Sequence, residues 1–409
     1  MSKKFDLTRF NDVPYDRRAT CLICGQKMPA PLIRLPSFPM TGVFAPHRIQ
    51  RPVGFVDQAF CLCEACGHGQ LSNVIDEKLQ YSGLGAYSFR TGASETAKDS
   101  TRFFTDFIDR VAGKRRFRHI VEIGCNDLFL LKSLRGRAKV LTGIDPILKD
   151  LPQKSLPPGI RVIGDFFENV RCFDKTDMVI CKDTIEHVRD PKAFVRKIVD
   201  QGTTGTIFFF QFPCLETLLE GCRFDQVFHQ HLNYFSLASV SRMLDDLDCE
   251  WMDHCFNPNL WGALLIAFRK RPAGKAKKPS FSFKKISRRT VLERYAVFQK
   301  NMEATRERLK CFEGQKIYGY GAALMLPVLD YHLKGALDGL DCVVDDDRQK
   351  ENMFYINLPL AIVHSSRITD LSRATVLITA IFSSDNVRKI VSRLSVVNPR
   401  NIIVPLNIF

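Results

Sequence analysis

The chain has 409 residues, 45% of them hydrophobic and 25% charged, and a net charge of +15. That balance describes an ordinary globular protein of two or three domains, and no apolar run reaches membrane-spanning length, which excludes a bundle of membrane helices. The positive excess favours anionic partners such as nucleotides, nucleic acid or acidic surfaces without choosing among them.

Residues 1–18 are charged and lack a long apolar core, so no secretory signal is read there and the protein is expected in the cytoplasm. In that compartment fourteen cysteines point to metal ligation or free buried thiols, not to a disulfide framework. Two knuckles, Cys21-Leu22-Ile23-Cys24-Gly25 and Cys63-Glu64-Ala65-Cys66-Gly67, stand far enough apart to hold a small sheet between them. Such paired spacing puts four thiolates at the corners of a tetrahedron. Cys61 and His68 lie close by as possible substitutes, but the pairing favours Cys21, Cys24, Cys63 and Cys66 as zinc ligands. Four protein ligands leave no open coordination position, so the zinc is expected to be structural and to fold a module over 1–75.

A turn-rich aromatic stretch, 81–89, reads either as a segment that folds over a ligand or as a plain linker, and leads into a helix predicted over 93–111. Apolar runs then alternate with helical patterns at 120–124, 140–144, 161–163, 177–181 and 206–212, as expected for a mainly parallel sheet. The first run ends in Glu122-Ile123-Gly124-Cys125-Asn126-Asp127, and the second ends at Asp145 about twenty residues after the glycine turn. A turn of small residues lets a ligand approach the backbone, and a carboxylate at the tip of the next strand can accept both ribose hydroxyl protons. Only Gly124 stands where a dinucleotide site would have three glycines, so a ribose without a pyrophosphate is expected, which points to S-adenosylmethionine. Asp165 is positioned to bond an adenine amino group while Phe166 packs on its face.

After the fifth run come His229 and His231, which an extended segment would project to one side. Histidine suits proton transfer near neutrality, and no third metal ligand stands nearby in the sequence. An Asn257-Pro258-Asn259 turn signal follows, read as a hairpin turn or as a loop lining a site, and then a strand at 264–268. This middle domain is assigned 76–270. Residues 271–289 are rich in Lys, Arg, Pro and Ser and read as a basic linker, without the aromatic interleaving of a nucleic-acid binder. A helix with apolar positions at Leu292, Tyr295, Phe298 and Met302 opens the last unit, 290–409. There Lys316-Ile317-Tyr318-Gly319-Tyr320-Gly321-Ala322 and Val343-Val344-Asp345-Asp346 repeat the pattern of strand, glycine turn and acid, with further strands at 375–380 and 402–405.

The fold class is therefore α/β: a small N-terminal zinc-binding module, a Rossmann-like S-adenosylmethionine-type domain, which the resemblance described next implies is a methyltransferase domain, and a second, smaller Rossmann-like C-terminal domain. In that series the chain resembles, over nearly its whole length, the nucleotide-sugar C-methyltransferases, which include enzymes that add a branch methyl at C3 of TDP-linked 4-keto-deoxysugars. The motifs that carry the resemblance are the two knuckles, Glu122 to Asp127, His187-Val188, Phe224-Asp225-Gln226-Val227-Phe228-His229-Gln230-His231 with Tyr234-Phe235-Ser236, and the Tyr318 and Val343 stretches.

The resemblance implies an S-adenosylmethionine cofactor, held by Glu122, Gly124, Asn126, Asp145, Asp165 and Phe166. It also implies a nucleotide-linked keto-sugar substrate, held in part by Tyr318, Tyr320, Gly321 and Asp345. His231 would remove a proton beside the ketone, His187 and Tyr87 would line the sugar pocket, and His229 stands with them as a catalytic candidate. The chain departs from the family at Phe228 (a tyrosine there), Gln230 and Gln211 (glutamates), Trp261-Gly262-Ala263 (HGGS) and Leu128 (glycine). Those departures keep open an O-methyltransferase acting on a related sugar or other small molecule, and the charge keeps open a non-enzymatic zinc-ribbon nucleic-acid-binding protein. A monomer with no membrane partner is expected.

Overall fold

The computed structural model describes residues 6–76, 79–80, 90–170, 175–277, 279 and 282–405. The stretch 81–89, and Tyr87 with it, lies outside the described residues.

The N-terminal part is built on strands β1 (Tyr15–Arg17), β2 (Ile33–Pro39), β3 (Phe44–Ala45), β4 (Phe55–Cys63), β5 (His68–Leu71) and β6 (Asn73–Ile75). β4 pairs antiparallel with both β2 and β5. The first CxxC knuckle precedes β2, and the second forms the tight turn between β4 and β5, closed by Gly67 N–H donating to the Cys63 carbonyl at 2.8 Å.

The middle part begins with α1 (Glu95–Ala112), capped by Ser94, whose hydroxyl accepts from Ala97 N–H. Ala97, Ser100, Thr101, Phe104, Phe107 and Ile108 are buried at the three- and four-residue spacing of one helix face. There follow β7 (Phe117–Ile123), α2 (Phe129–Ser133), β8 (Ala138–Ile144), β9 (Ile160–Ile163), β10 (Met178–Lys182), α3 (Pro191–Gln201), β11 (Ile207–Phe212), α4 (Leu215–Glu220), β12 (Asn233–Tyr234), α5 (Leu237–Leu244), β13 (Cys249–Asn257) and β14 (Ala263–Lys270). Seven of these strands make one sheet in the order β13-β14-β11-β10-β7-β8-β9. The five predicted runs are its parallel strands. The expectation missed β13, because Glu250, Asp253 and His254 interrupt its apolar run and its register shifts between Trp251 and Asp253, as suits a half-buried edge strand.

Side-chain alternation divides the sheet between two cores. Val121, Ile123, Val179, Phe208 and Phe210 pack on one face and Ile120, Met178, Ile180, Ile207 and Phe209 on the other. After β7 the chain moves outward to β8 and β9, then returns to place β10 on the other side of β7. A crevice therefore opens outside the carboxyl ends of β7 and β10, where open α/β sheets bind ligands.

The C-terminal part comprises α6 (Arg288–Lys310), β15 (Lys316–Tyr320), α7 (Leu326–His332), β16 (Cys342–Asp345), β17 (Phe354–Tyr355), β18 (Ile362–His364), β19 (Ala374–Ile378), α8 (Ser384–Leu394) and β20 (Asn401–Ile403). Its sheet, in the order β18-β16-β15-β19-β20, is parallel throughout. The buried stripe of α6 is Val291, Phe298, Met302, Thr305 and Leu309; Leu292, one of the apolar positions that marked the helix, is 44% exposed because it lies one residue off that stripe.

The three parts interlock. β12, from the middle part, pairs with β5 and extends the N-terminal sheet, while β17, from the C-terminal part, pairs with β3. At this seam the Phe38 ring meets His229 (centroids 5.4 Å apart), Tyr331 (5.0 Å) and His332 (6.2 Å). Burial pushes both histidines down from 6.5 to about 4.

Between those values the unfolded chain binds protons that the folded chain does not, so stability rises with pH and is lost on acidification below about 6.5. Each ring then contributes a slope of up to about 1.4 kcal/mol per pH unit. The urea midpoint is expected to fall between about pH 7 and about pH 5; an unchanged midpoint would show that these rings accept protons within the fold.

Candidate active site

The four cysteines come together as their spacing predicted. Cys21 Sγ lies 3.6 Å from Cys66 Sγ and Cys24 Sγ lies 3.5 Å from Cys63 Sγ, and all four sulfurs are within 4.8 Å of one another. Sulfurs about 2.3 Å from a tetrahedral zinc ion are separated by about 3.8 Å, so the set fits the metal with small adjustments. Cys61 lies outside this group. His68 is fully buried, with burial pushing it down to about 3, and packs against Phe235.

The crevice of the seven-stranded sheet opens into a cavity of about 720 Å³ that is also lined by the C-terminal part. That volume suits a cofactor or a drug-sized ligand. Its floor is the turn after β7. Gly124 has φ +75°, and a Cβ there would come 2.2 Å from Thr184 Oγ1, so only glycine lets the turn pass beneath β10's loop. Asp145, at the tip of β8, accepts from Asn126 N–H at 2.8 Å and from Ile147 N–H at 3.0 Å, which orients its carboxylate at the cavity wall. Burial raises Asp145 above the ordinary aspartate range.

Glu122 is 3% exposed, burial pushes it up to about 8, and its Oε2 has no hydrogen-bond partner among the described residues. An ammonium group brought into the cavity would find an acceptor there. Asp165 accepts from Phe166 N–H at 2.7 Å and from Asn169 Nδ2 at 2.8 Å, and Phe166 lines the cavity beside Ile147. Leu128, where the family has glycine, sits at φ +66° with its side chain 3% exposed. A left-handed residue costs about 1–2 kcal/mol, which burial of a leucine side chain, about 1.5–3 kcal/mol, offsets.

The two predicted histidines of the 229–231 stretch separate. His231 N–H donates to the Phe228 carbonyl at 3.0 Å, making a turn where an extended segment was expected, so the two side chains leave in different directions. His229 turns away from the cavity: one ring nitrogen is 3.1 Å from Gln58 Nε2 and the other 3.0 Å from the Phe38 carbonyl. His231 faces the cavity, its ring tilted against Phe228 with centroids 4.0 Å apart.

His187 joins His231 there, centroids 5.1 Å apart, with Nδ1–H donating to the Gln230 carbonyl at 2.8 Å. Sequence reasoning passed over Glu186, which is 1% exposed and brings Oε1 to 3.8 Å from His187 Nε2. Its signal was the Glu-His pair following β10, four residues after the strand end. Burial holds its carboxyl well above the usual range, and burial holds His231 well below 6.5.

From the C-terminal side, Tyr320, Gly321 and Asp345 line the cavity. Tyr318 does not; two residues earlier on β15 it lies about 6.6 Å deeper and packs against the C-terminal core. Asp345 grips its turn as Asp145 does, accepting from Ala322 N–H at 2.6 Å and Asp347 N–H at 2.8 Å. Trp261, after the Asn257-Pro258-Asn259 turn, closes the wall by stacking on Phe382 with centroids 5.4 Å apart. That segment is both the turn of the β13–β14 hairpin and part of the site.

Three family profiles match successive stretches of the chain: "Putative zinc binding domain" over residues 21–81, "Methyltransferase domain" over 96–254 and "C-methyltransferase C-terminal domain" over 283–404. Among curated proteins, the chain is 22% identical over 214 residues to the C-methyltransferase NovU of Streptomyces niveus, covering 51% of this chain and 50% of that one. It is 28% identical over 130 residues to the ubiquinone biosynthesis O-methyltransferase of Neisseria meningitidis serogroup C, covering 30% and 54%. The chain thus spans about half the length of the curated relatives it matches. Among solved structures it is similar to the N-methyltransferase NodS of Bradyrhizobium japonicum in complex with S-adenosyl-l-homocysteine, with 13% identity, a TM-score of 0.35 and coverage of 43% of this chain and 88% of that one. No helix among the described residues is long and apolar enough to cross a membrane.

Cys66→Ser is expected to remove the bound zinc, read by elemental analysis, and to lower the thermal midpoint. Asp145→Ala is expected to weaken S-adenosylhomocysteine binding by about 1.5–3 kcal/mol, the contribution of hydrogen bonds to a charged group, in isothermal titration. Unchanged affinity would place the ribose elsewhere.

Proposed function

The chain carries in series a zinc-binding domain, an S-adenosylmethionine-type methyltransferase domain and a C-methyltransferase C-terminal domain, and from that premise we propose that it methylates a nucleotide-linked keto-sugar at carbon. One observation carries the reading: a single cavity joins the Gly124 and Asp145 turn, the His187 and His231 pair, and the Gly321 and Asp345 turn. The first suits a ribose, the second a proton transfer and the third the nucleotide of the substrate. Arg348, Lys350, Lys389 and Arg393 line the same C-terminal wall, and cations there favour a diphosphate over a neutral acceptor.

S-adenosylmethionine, when bound, supplies an electrophilic methyl on a sulfonium. Asp145 would hold the ribose, Glu122 the amino end and Asp165 with Phe166 the adenine. His231 is the base: it leaves Nδ1 buried without a partner among the described residues. That lone pair takes the proton from the carbon beside the ketone, and the enolate carbon then attacks the methyl in line. A buried, neutral imidazole is available for this at neutral pH because its pKa lies below 6.5. His187 would orient the sugar oxygens. Zinc at the four cysteines is structural, as all its positions are filled by protein.

A second reading, O-methylation, draws on Phe228, which puts no phenol beside His231, and on the similarity to an O-methyltransferase. The enzyme incubated with S-adenosylmethionine and a panel of nucleotide-linked 4-keto-sugars is expected to add one methylene by mass, with solvent deuterium exchanging at the carbon beside the ketone. Methylation without exchange would support the oxygen acceptor, and no mass gain on any sugar would sink the substrate assignment. His231→Asn is expected to lower turnover by at least about 100-fold while leaving S-adenosylhomocysteine binding intact.

A further inference from the structure

Outside the cysteine cluster, the described residues hold one other group of metal-ligating donors: Glu186, His187 and His231, with ligand atoms all within 4.8 Å of one another. The sequence hid this set, because Glu186 and His187 follow β10 whereas His231 lies some forty residues later, beyond α4. Two of its polar atoms are orphans. Glu186 Oε2 and His231 Nδ1 are buried and have no hydrogen-bond partner among the described residues. Buried polar atoms of this kind demand an explanation, and an unfilled ligand position supplies one.

The surroundings match those of a metal site. His187 donates through Nδ1 to the Gln230 carbonyl at 2.8 Å, which leaves Nε2 as the lone-pair nitrogen, 3.8 Å from Glu186 Oε1. His231 leaves Nδ1 buried without a partner among the described residues. Metal-binding histidines characteristically have the second ring nitrogen fixed by a carbonyl or carboxylate, which sets the tautomer and the ring angle. An ion about 2.0–2.2 Å from each donor needs them about 3–4 Å apart, so side-chain movements of less than about 1 Å would close the set. Two imidazoles and one carboxylate suit a divalent transition ion and not calcium or magnesium, and the remaining positions would face the cavity.

We propose that Glu186, His187 and His231 bind one divalent transition-metal ion, distinct from the structural zinc, and that this ion and the base function of His231 exclude each other. Binding forms bonds to Glu186 oxygen, His187 Nε2 and His231 Nδ1. The Nδ1 lone pair that holds the ion is the one that would accept the substrate proton. Only the exclusion rests on the base reading; the site stands on its geometry.

The test is a titration of the zinc-replete chain of 409 residues with cobalt(II). One further cobalt per chain is expected, with the weak visible absorption of nitrogen and oxygen ligands and none of the intense thiolate bands that exchange at the cysteines would produce. His231→Asn and Glu186→Gln are each expected to weaken cobalt binding by at least about tenfold, while elemental analysis shows the four-cysteine zinc retained. No uptake of cobalt beyond the zinc, or uptake undiminished in both variants, would overturn the site. Methyl transfer should decline in proportion to cobalt occupancy; transfer that continues in the fully loaded protein would overturn the exclusion and the base assignment while leaving the site standing. Metal binding is read without substrate, so failure to find the sugar leaves this result untouched.

Discussion

Two carboxylates shape the cavity, and they act on backbone. Asp145 receives the N–H groups of Asn126 and Ile147, and Asp345 receives those of Ala322 and Asp347. At the carboxyl end of a parallel strand the backbone leaves the ladder, and buried N–H groups must find another acceptor. A carboxylate at the tip of the neighbouring strand satisfies one of them and one N–H of its own turn, and so ties the two loops together. The turns themselves run close to what lies beside them: a Cβ at Gly124 would meet Thr184 and one at Gly321 would meet Ala380, each at 2.2 Å. The same solution, used once in each α/β part, brings two prepared loops to opposite walls of one cavity.

Desolvation sets the chemistry between those walls. Glu122 and Glu186 are raised and His231 is lowered, in each case first by burial, so all three favour their neutral forms. Neutral but ionisable groups in the cavity respond strongly to charge brought in by a ligand. A cationic cofactor or metal ion would draw the carboxyls into their ionised state, in surroundings where the attraction is weakly screened.

The departures from the family pattern are consistent with their surroundings. Gln211 donates from Nε2 to both Asp183 oxygens at 2.9 and 3.0 Å, and Gln230 donates from Nε2 to the Thr41 carbonyl at 3.4 Å. Each partner is an acceptor, so an ionised glutamate in either place would face it without a proton to share. Phe228 packs an apolar ring against His231, which deepens the burial of the imidazole. Phe228, Gln230 and Trp261 thus line the cavity with rings and an amide, whereas Gln211 lies outside its lining, and Gly124, Asp145 and Asp165 line it from the ends of the parallel strands.

What the sequence by itself determined is whatever depends on near neighbours along the chain. The CxxC knuckles, the strand, glycine and acid patterns around Gly124 and Gly321, and the parallel runs are local, because turn geometry and side-chain alternation act over a few residues. The separation of His229 from His231, the withdrawal of Tyr318 from the cavity and the edge strand at Cys249–Asn257 were decided by tertiary structure. A two-residue spacing specifies one side only if the backbone is extended, and here a turn held by Phe228 and seams with Phe38 and Gln58 imposed another path. The meeting of Glu186, His187 and His231 is the furthest from sequence: it exists because β12 leaves the middle part to complete the N-terminal sheet, carrying the preceding histidine back over the end of β10.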